Sequence, residues 1–282
     1  MKAKSIIHVA AAFLIFKLTD GFSNVAFRLS VSDIAAEIVY VFLAVFSIYV
    51  FVRLYAAYIM KRPAGELGLA GPWPDKVWCI VAAALPAAVI FFYLLFMDGE
   101  LQRQELPLRE AAYAVCLSLL SAGLCSAVRV EIIFRGMILG ALRKVWGTKT
   151  AVLASSFLFA LPCFADTVYS WQERLTAALA VFIIGLSLSL VTAEAGSIWP
   201  AALILGIYNA FVGNSHLLHI GTEHNFSALW TYTLSGGSRL LAGNENTIGL
   251  TAALPAIMGF AAAGMIALWR MRHKAPAKNK NM

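Results

Sequence analysis

The sequence predicts an all-α, polytopic membrane helix bundle of about eight transmembrane helices, on three observations. Of its 282 residues, 61% are hydrophobic and only 13% charged, about half the charged share of a soluble domain. Apolar runs long enough to cross a bilayer recur along the whole chain. The positive charge behind a net +7 falls mostly in the segments between those runs, where a membrane protein places it. Such a balance could also indicate nucleic acid, but no basic patch with interleaved aromatics is present. The implied surroundings are therefore the lipid bilayer, with no nucleic-acid partner.

The first apolar run, 5–18, follows Lys2 and Lys4. A basic start and a short apolar run also describe a cleaved signal peptide. Lys17 borders the run and no small-x-small cleavage site follows, which favours a retained helix. The second run, 35–60, is closed by Lys61, Arg62 and Pro63, and a loop rich in Gly and Pro leads to the third, 77–97. The loop 98–110 carries four acidic residues, Asp98, Glu100, Glu105 and Glu110. The fourth stretch, 111–145, would reach roughly 50 Å as one helix, against a hydrocarbon core of about 30 Å. It must tilt, project or break, with Gly123 the candidate break, and a double crossing there would upset the parity. Runs at 151–165, 175–193, 198–212 and 248–269 complete the eight, separated by polar segments 166–174, 194–197 and 214–247. The basic clusters at 2–4, 61–76 and 143–149 and in the tail then fall on one side, so both termini are expected in the cytoplasm of a multi-pass cell-membrane protein.

Cys79, Cys116, Cys125 and Cys163 all lie in apolar runs and none forms a CxxC pair. Neither a disulfide framework nor a zinc site is expected, and Cys79, Cys116 and Cys125 read as small buried hydrophobes. His216, His219, His224 and Glu223 share one loop, but their spacing fits no standard metal site. No metal or other cofactor is expected. Trp171, Trp199 and Tyr208 read as interface anchors or core packing.

Chemistry concentrates at Val130-Glu131-Ile132-Ile133-Phe134-Arg135-Gly136-Met137. A charge in the middle of a membrane helix is costly, by about 2.5 kcal/mol or more, so it needs a partner or a task. Glu131 and Arg135 stand four apart on one helical face and can pair with each other. A structural ion pair and a working site are both compatible with that spacing.

Glu131-Ile-Ile-Phe-Arg135-Gly136 resembles the first motif, Glu-Glu-x-x-x-Arg, of the CAAX protease and bacteriocin-processing (CPBP, or Abi) intramembrane protease family. Phe159-Ala-Leu-Pro-Cys163 resembles its second motif, Phe-x-x-x-His, and Leu205-Gly-Ile-Tyr-Asn209 its third, His-x-x-x-Asn, with the lead-in Gly196-Ser197-Ile198-Trp199. The resemblance covers about 117–212 and divides the chain into N-terminal transmembrane helices (1–110), a protease-like core (111–213) and a polar loop, last helix and basic tail (214–282).

The resemblance implies that an intact member uses the first glutamate and the second-motif histidine to activate a water. The third-motif histidine and asparagine would stabilise the oxyanion. Here those positions hold Val130 for the first glutamate, Cys163 and Leu205 for the two histidines. Glu131, Arg135 and Asn209 remain, with Phe159 supporting. Valine cannot accept a proton, leucine cannot donate to an oxyanion, and a zinc centre lacks both histidines. The expectation is a degenerate homologue with weak or no peptidase activity, whose partner is a membrane-embedded or lipidated peptide or protein. The alternatives are an active intramembrane peptidase with a rewired site and a small-solute or lipid transporter.

Overall fold

A computed structural model describes residues 2–165, 170–213, 215–222, 228–236, 241 and 249–273. Helices form over each apolar run. The first three are α1 (Lys2–Ser23), α2 (Asp33–Met60) and α3 (Lys76–Phe96). Next comes a helical stretch, Leu108–Phe164, that reverses at Gly147 and so makes two helices, α4 (108–146) and α5 (148–164). Then follow α6 (Trp171–Ala195), α7 (Trp199–Phe211) and α8 (Leu254–His273). Local signals set several ends. Ser32 and Asp75 cap α2 and α3 by accepting the backbone N–H groups of Ala35 and Trp78. Ser170 and Glu173 form a capping box at α6, which stops at Gly196 with φ 68°.

The expected break near Gly123 is not observed. α4 runs through it, with wider π-helical turns at Leu117–Cys125 and Ile132–Ile138. The turn comes instead at Gly147, whose φ of 77° and ψ of 166° suit a residue without a Cβ. Gly123 serves close packing: a Cβ there would stand 3.1 Å from the Ala210 Cβ and 3.2 Å from the Gly206 carbonyl oxygen. At ~1.5 Å per residue α4 is roughly 58 Å long, so it projects past the ~30 Å hydrocarbon core.

The helix bundle carries a small three-stranded sheet that the sequence reading missed. β1 (Gly99–Arg103) lies in the acidic loop after α3, and β2 (Leu218–Gly221) and β3 (Trp230–Leu234) follow α7. The order is β1-β3-β2, with β1 antiparallel and β2 parallel to β3. The loops on either side of the protease-like core therefore meet at one end of the bundle. At the opposite end, Arg270 of α8 bonds Asp75 before α3 and Glu194 at the end of α6 (2.9 Å to the latter). Lys61, Arg62, Lys76, Arg143, Lys144 and Lys149 belong to this basic end by helix direction.

Successive helices thus alternate in direction, α4 included. Among the described residues six helical stretches are long and apolar enough to cross a membrane, α4 and α5 counting as one; α7, with 13 residues, is shorter. Among the described residues two large apolar cores fill the bundle, beside a small cluster of Val41, Ala44 and Cys125. One gathers α3, α7, α8 and the sheet around Trp78, Tyr93, Tyr208 and Phe260. The other gathers α1, α2, α4 and the loop after α2 around Ile48, Leu67, Ile132 and Met137. Val130 packs against both.

Candidate functional site

The Glu131–Arg135 pair sits where α4, α5 and α6 meet, and both side chains are 0% exposed. Arg135 Nη1 approaches Glu131 Oε1 to 2.9 Å. The contact is ionic without the alignment of a directed hydrogen bond, and neither Glu131 oxygen has a hydrogen-bond partner among the described residues. Arg135 Nη2 donates to the Gly185 carbonyl of α6 at 3.2 Å, and the guanidinium lies over the Phe159 ring of α5, 4.5 Å from its centroid. Such a cation–π contact strengthens as the cation loses water.

Local backbone makes this geometry available. The π-helical turn 132–138 loosens the helical ladder around Arg135, and Ser155 of α5 donates to the Phe134 carbonyl at 2.8 Å. Gly185 lets α5 and α6 close up: a Cβ there would come within 3.0 Å of the Phe159 ring. Gly136 and Gly140 admit the loop after α2, a Cβ at Gly140 falling 2.7 Å from Leu67 Cδ2. Arg62 from the same loop donates to the Gly140 carbonyl at 2.9 Å. The pair is thus walled off from the basic end by packed chain.

The remaining motif positions fall on neighbouring elements. Phe159 touches both Phe134, at 4.9 Å between centroids, and Arg135. Cys163, half-buried in the 3₁₀ turn Leu161–Phe164, lies one turn beyond Phe159 towards the sheet end, as Glu131 lies one turn beyond Arg135. Leu205 is buried in the core against which Val130 packs. Asn209 is half-buried on α7, close to Gly213, where a Cβ would stand 2.8 Å from Asn209 Oδ1. Val130, Cys163 and Leu205 therefore contribute two apolar side chains and one thiol. Trp199 stacks on Trp73 at 5.4 Å and donates to the Leu69 carbonyl at 3.2 Å, while Tyr208 packs edge-on to Phe260 at 4.9 Å. Trp171 is exposed and lies 5.7 Å from Phe164 between ring centroids.

Two polar clusters escaped the sequence reading. On the far face of α4, Arg129 reaches Asp20 of α1 at 2.8 Å and donates to Tyr40 of α2 at 3.0 Å, above the Phe16 ring. Nearby, Ser121 donates to the buried Glu37 of α2. At the basic end, Glu194 accepts from Trp78 Nε1 at 3.0 Å as well as from Arg270. Burial pushes the Asp75 carboxyl up, but its bonds to Arg270 and the Trp78 backbone N–H outweigh this and hold it below its ordinary 3.8. An arginine inside an apolar run was the available signal for the first cluster; nothing local names its partner. Among the described residues no group of three His, Cys, Asp or Glu side chains could hold a metal ion. His216 and His219 lie at the sheet end, and Glu223 and His224 fall outside the described residues.

Residues 111–211 match the family model described as type II CAAX prenyl endopeptidase Rce1-like. No curated protein matches the chain. The matched segment starts in the first turn of α4 and ends with α7, so it holds the ion pair and all three motifs. Motif order and this match agree, and both are consistent with membership of the 111–211 segment in the CPBP, CAAX-protease family.

Proposed function

We propose that this chain is a catalytically degenerate CAAX-protease-like protein of the cell membrane that binds or regulates a membrane-embedded or lipidated peptide without cleaving it efficiently. The observation that carries the reading is the sealed Glu131–Arg135 pair. A general base must reach its water within hydrogen-bond distance, and the Glu131 carboxylate is 0% exposed and held against a cation. The position beside it is Val130, and the oxyanion-donor position is the buried Leu205. Loss of one such donor costs about 100-fold or more in rate, and losing the base adds to this. Cys163 would need an activating base to act as nucleophile, and the motif histidine that could have served is the residue it replaces. The pair then locks α4, α5 and α6 together and shapes a core that can still hold a peptide.

The test is binding and cleavage of farnesylated and unmodified peptides by purified protein. The expected result is saturable binding with no cleavage above a mock preparation. Cleavage should appear when Val130→Glu, Cys163→His and Leu205→His are combined. Cleavage by the unaltered protein that disappears in a folded Glu131→Gln variant would overturn the reading.

A further inference from the structure

An apolar groove of about 630 Å³ opens between α4, α7 and the start of α3, away from the ion pair. Its floor is small, Gly123, Ala202 and Gly206, and no charged residue lines it. Trp73 and Trp199 close its basic-end mouth, stacked on each other. The lining follows α7 from Trp199 to Phe211, a rise of roughly 18 Å. That is close to one leaflet, half of the ~30 Å hydrocarbon core. Spread over that length, 630 Å³ gives a cross-section of about 35 Å². A single hydrocarbon chain fits.

The mouth adds a charge. Lys76, exposed in the first turn of α3, stands three residues before the lining residue Cys79 and so on the same face. It forms no ion pair among the described residues, whereas its neighbour Asp75 is neutralised by Arg270. A lysine at the bilayer surface attracts an anionic headgroup, and the two tryptophans suit the same interfacial depth.

We propose that this groove is a lipid site that seats one acyl chain of an anionic phospholipid from the leaflet at the basic end, with Lys76 on its phosphate. The site shares α4 and α7 with the motif core but is not lined by Glu131 or Arg135, and it does not depend on the peptide reading. The test uses delipidated full-length protein incubated with phosphatidylcholine vesicles doped with phosphatidylglycerol. Native mass spectrometry reads the lipid retained, and peptide mapping reads alkylation at Cys79, the exposed thiol of the groove. Phosphatidylglycerol should be kept in preference to phosphatidylcholine, one per chain, and should slow Cys79 alkylation. Leu203→Trp, which fills the groove from its own wall, should remove both effects, with Ile207→Trp reading the same if the first variant folds poorly. Lys76→Ala should erase the headgroup preference, about fivefold for one lysine, and leave chain binding. Equal retention of both lipids, or retention unchanged in the tryptophan variants, would sink the proposal. So would displacement of the lipid by a farnesylated peptide, which would assign the groove to a prenyl chain. Peptide binding that survives while lipid retention fails separates this outcome from a failure of the peptide reading.

Discussion

Arg135 is among the largest fully buried side chains of the protein, and its contacts show what the pair does for the bundle. One guanidinium meets a carboxylate on its own helix, a carbonyl on α6 and a ring on α5. Removing one member of a buried pair strands the other charge, at a cost of about 3 kcal/mol or more, whereas an apolar pair of similar volume is often neutral. Arg135→Ala and Glu131→Gln should therefore each lower the thermal unfolding midpoint in detergent strongly. The double variant Glu131→Leu with Arg135→Met should unfold within about 1 kcal/mol of the parent. A double variant as unstable as the two losses added would contradict a locking role. The pair itself was legible from its i, i+4 spacing, and Phe159 from its motif. Arg129 with Asp20 was not, because the partners are 109 residues apart and nothing local says which helix α4 packs against. The complete burial of Glu131 was not legible, because it depends on how α5 and α6 close over α4.

At the scale of elements, the long α4 and the loop after α2 explain why periodicity found the helices but misplaced a break. Gly123 and Gly147 look alike in sequence. One packs against α7 in helical conformation, and the other turns the chain where Arg143, Lys144 and Lys149 leave the apolar run. The π-helical turns and the sheet were illegible because both depend on partners distant in sequence; β1 is polar and exposed, and its order comes from β3. The loop after α2 is equally tertiary: Gly71 abuts the α6–α7 turn, where a Cβ would meet Ser197 Cβ at 2.7 Å and the Gly196 carbonyl oxygen at 2.8 Å. Gly71→Ala should cost roughly 1–3 kcal/mol, the usual penalty of overpacking. Gly65→Ala, a few residues earlier and with nothing within 4 Å, should be neutral or slightly stabilising. Equal stability of the two variants in thermal unfolding would show that the loop does not pack as described.

Over the whole molecule, two structures at opposite ends hold the helices in register: the sheet at one, and the Asp75–Arg270–Glu194 cluster at the other. Asp75 is the titrating part of that cluster outside the helices. Its carboxyl is held below the ordinary 3.8, so its contribution is complete above that pH and disappears as pH falls through the depressed value. The parent should lose its stability advantage over Asp75→Asn only in that acid window, a small effect for so exposed a carboxylate; an advantage that persists there would break the linkage. The same two ends decide topology, for which α7 is the critical helix. At 13 residues it is roughly 20 Å long, short of the ~30 Å core, so length alone does not make it a crossing. β3 supplies the constraint, because it pairs with β1 before α4 and with β2 after α7. Strands 99–103 and 218–221 must then share one side and the basic clusters the other, and the positive-charge bias predicts the cytoplasm for the basic side. Single cysteines placed in a background lacking the native four should divide accordingly. Gln102→Cys and Leu218→Cys should react with an impermeant maleimide on intact cells, and Lys149→Cys and Arg272→Cys only after permeabilisation. If Leu218→Cys instead reacts with the basic-end group, α7 does not cross, and the sheet cannot join the two loops in the membrane.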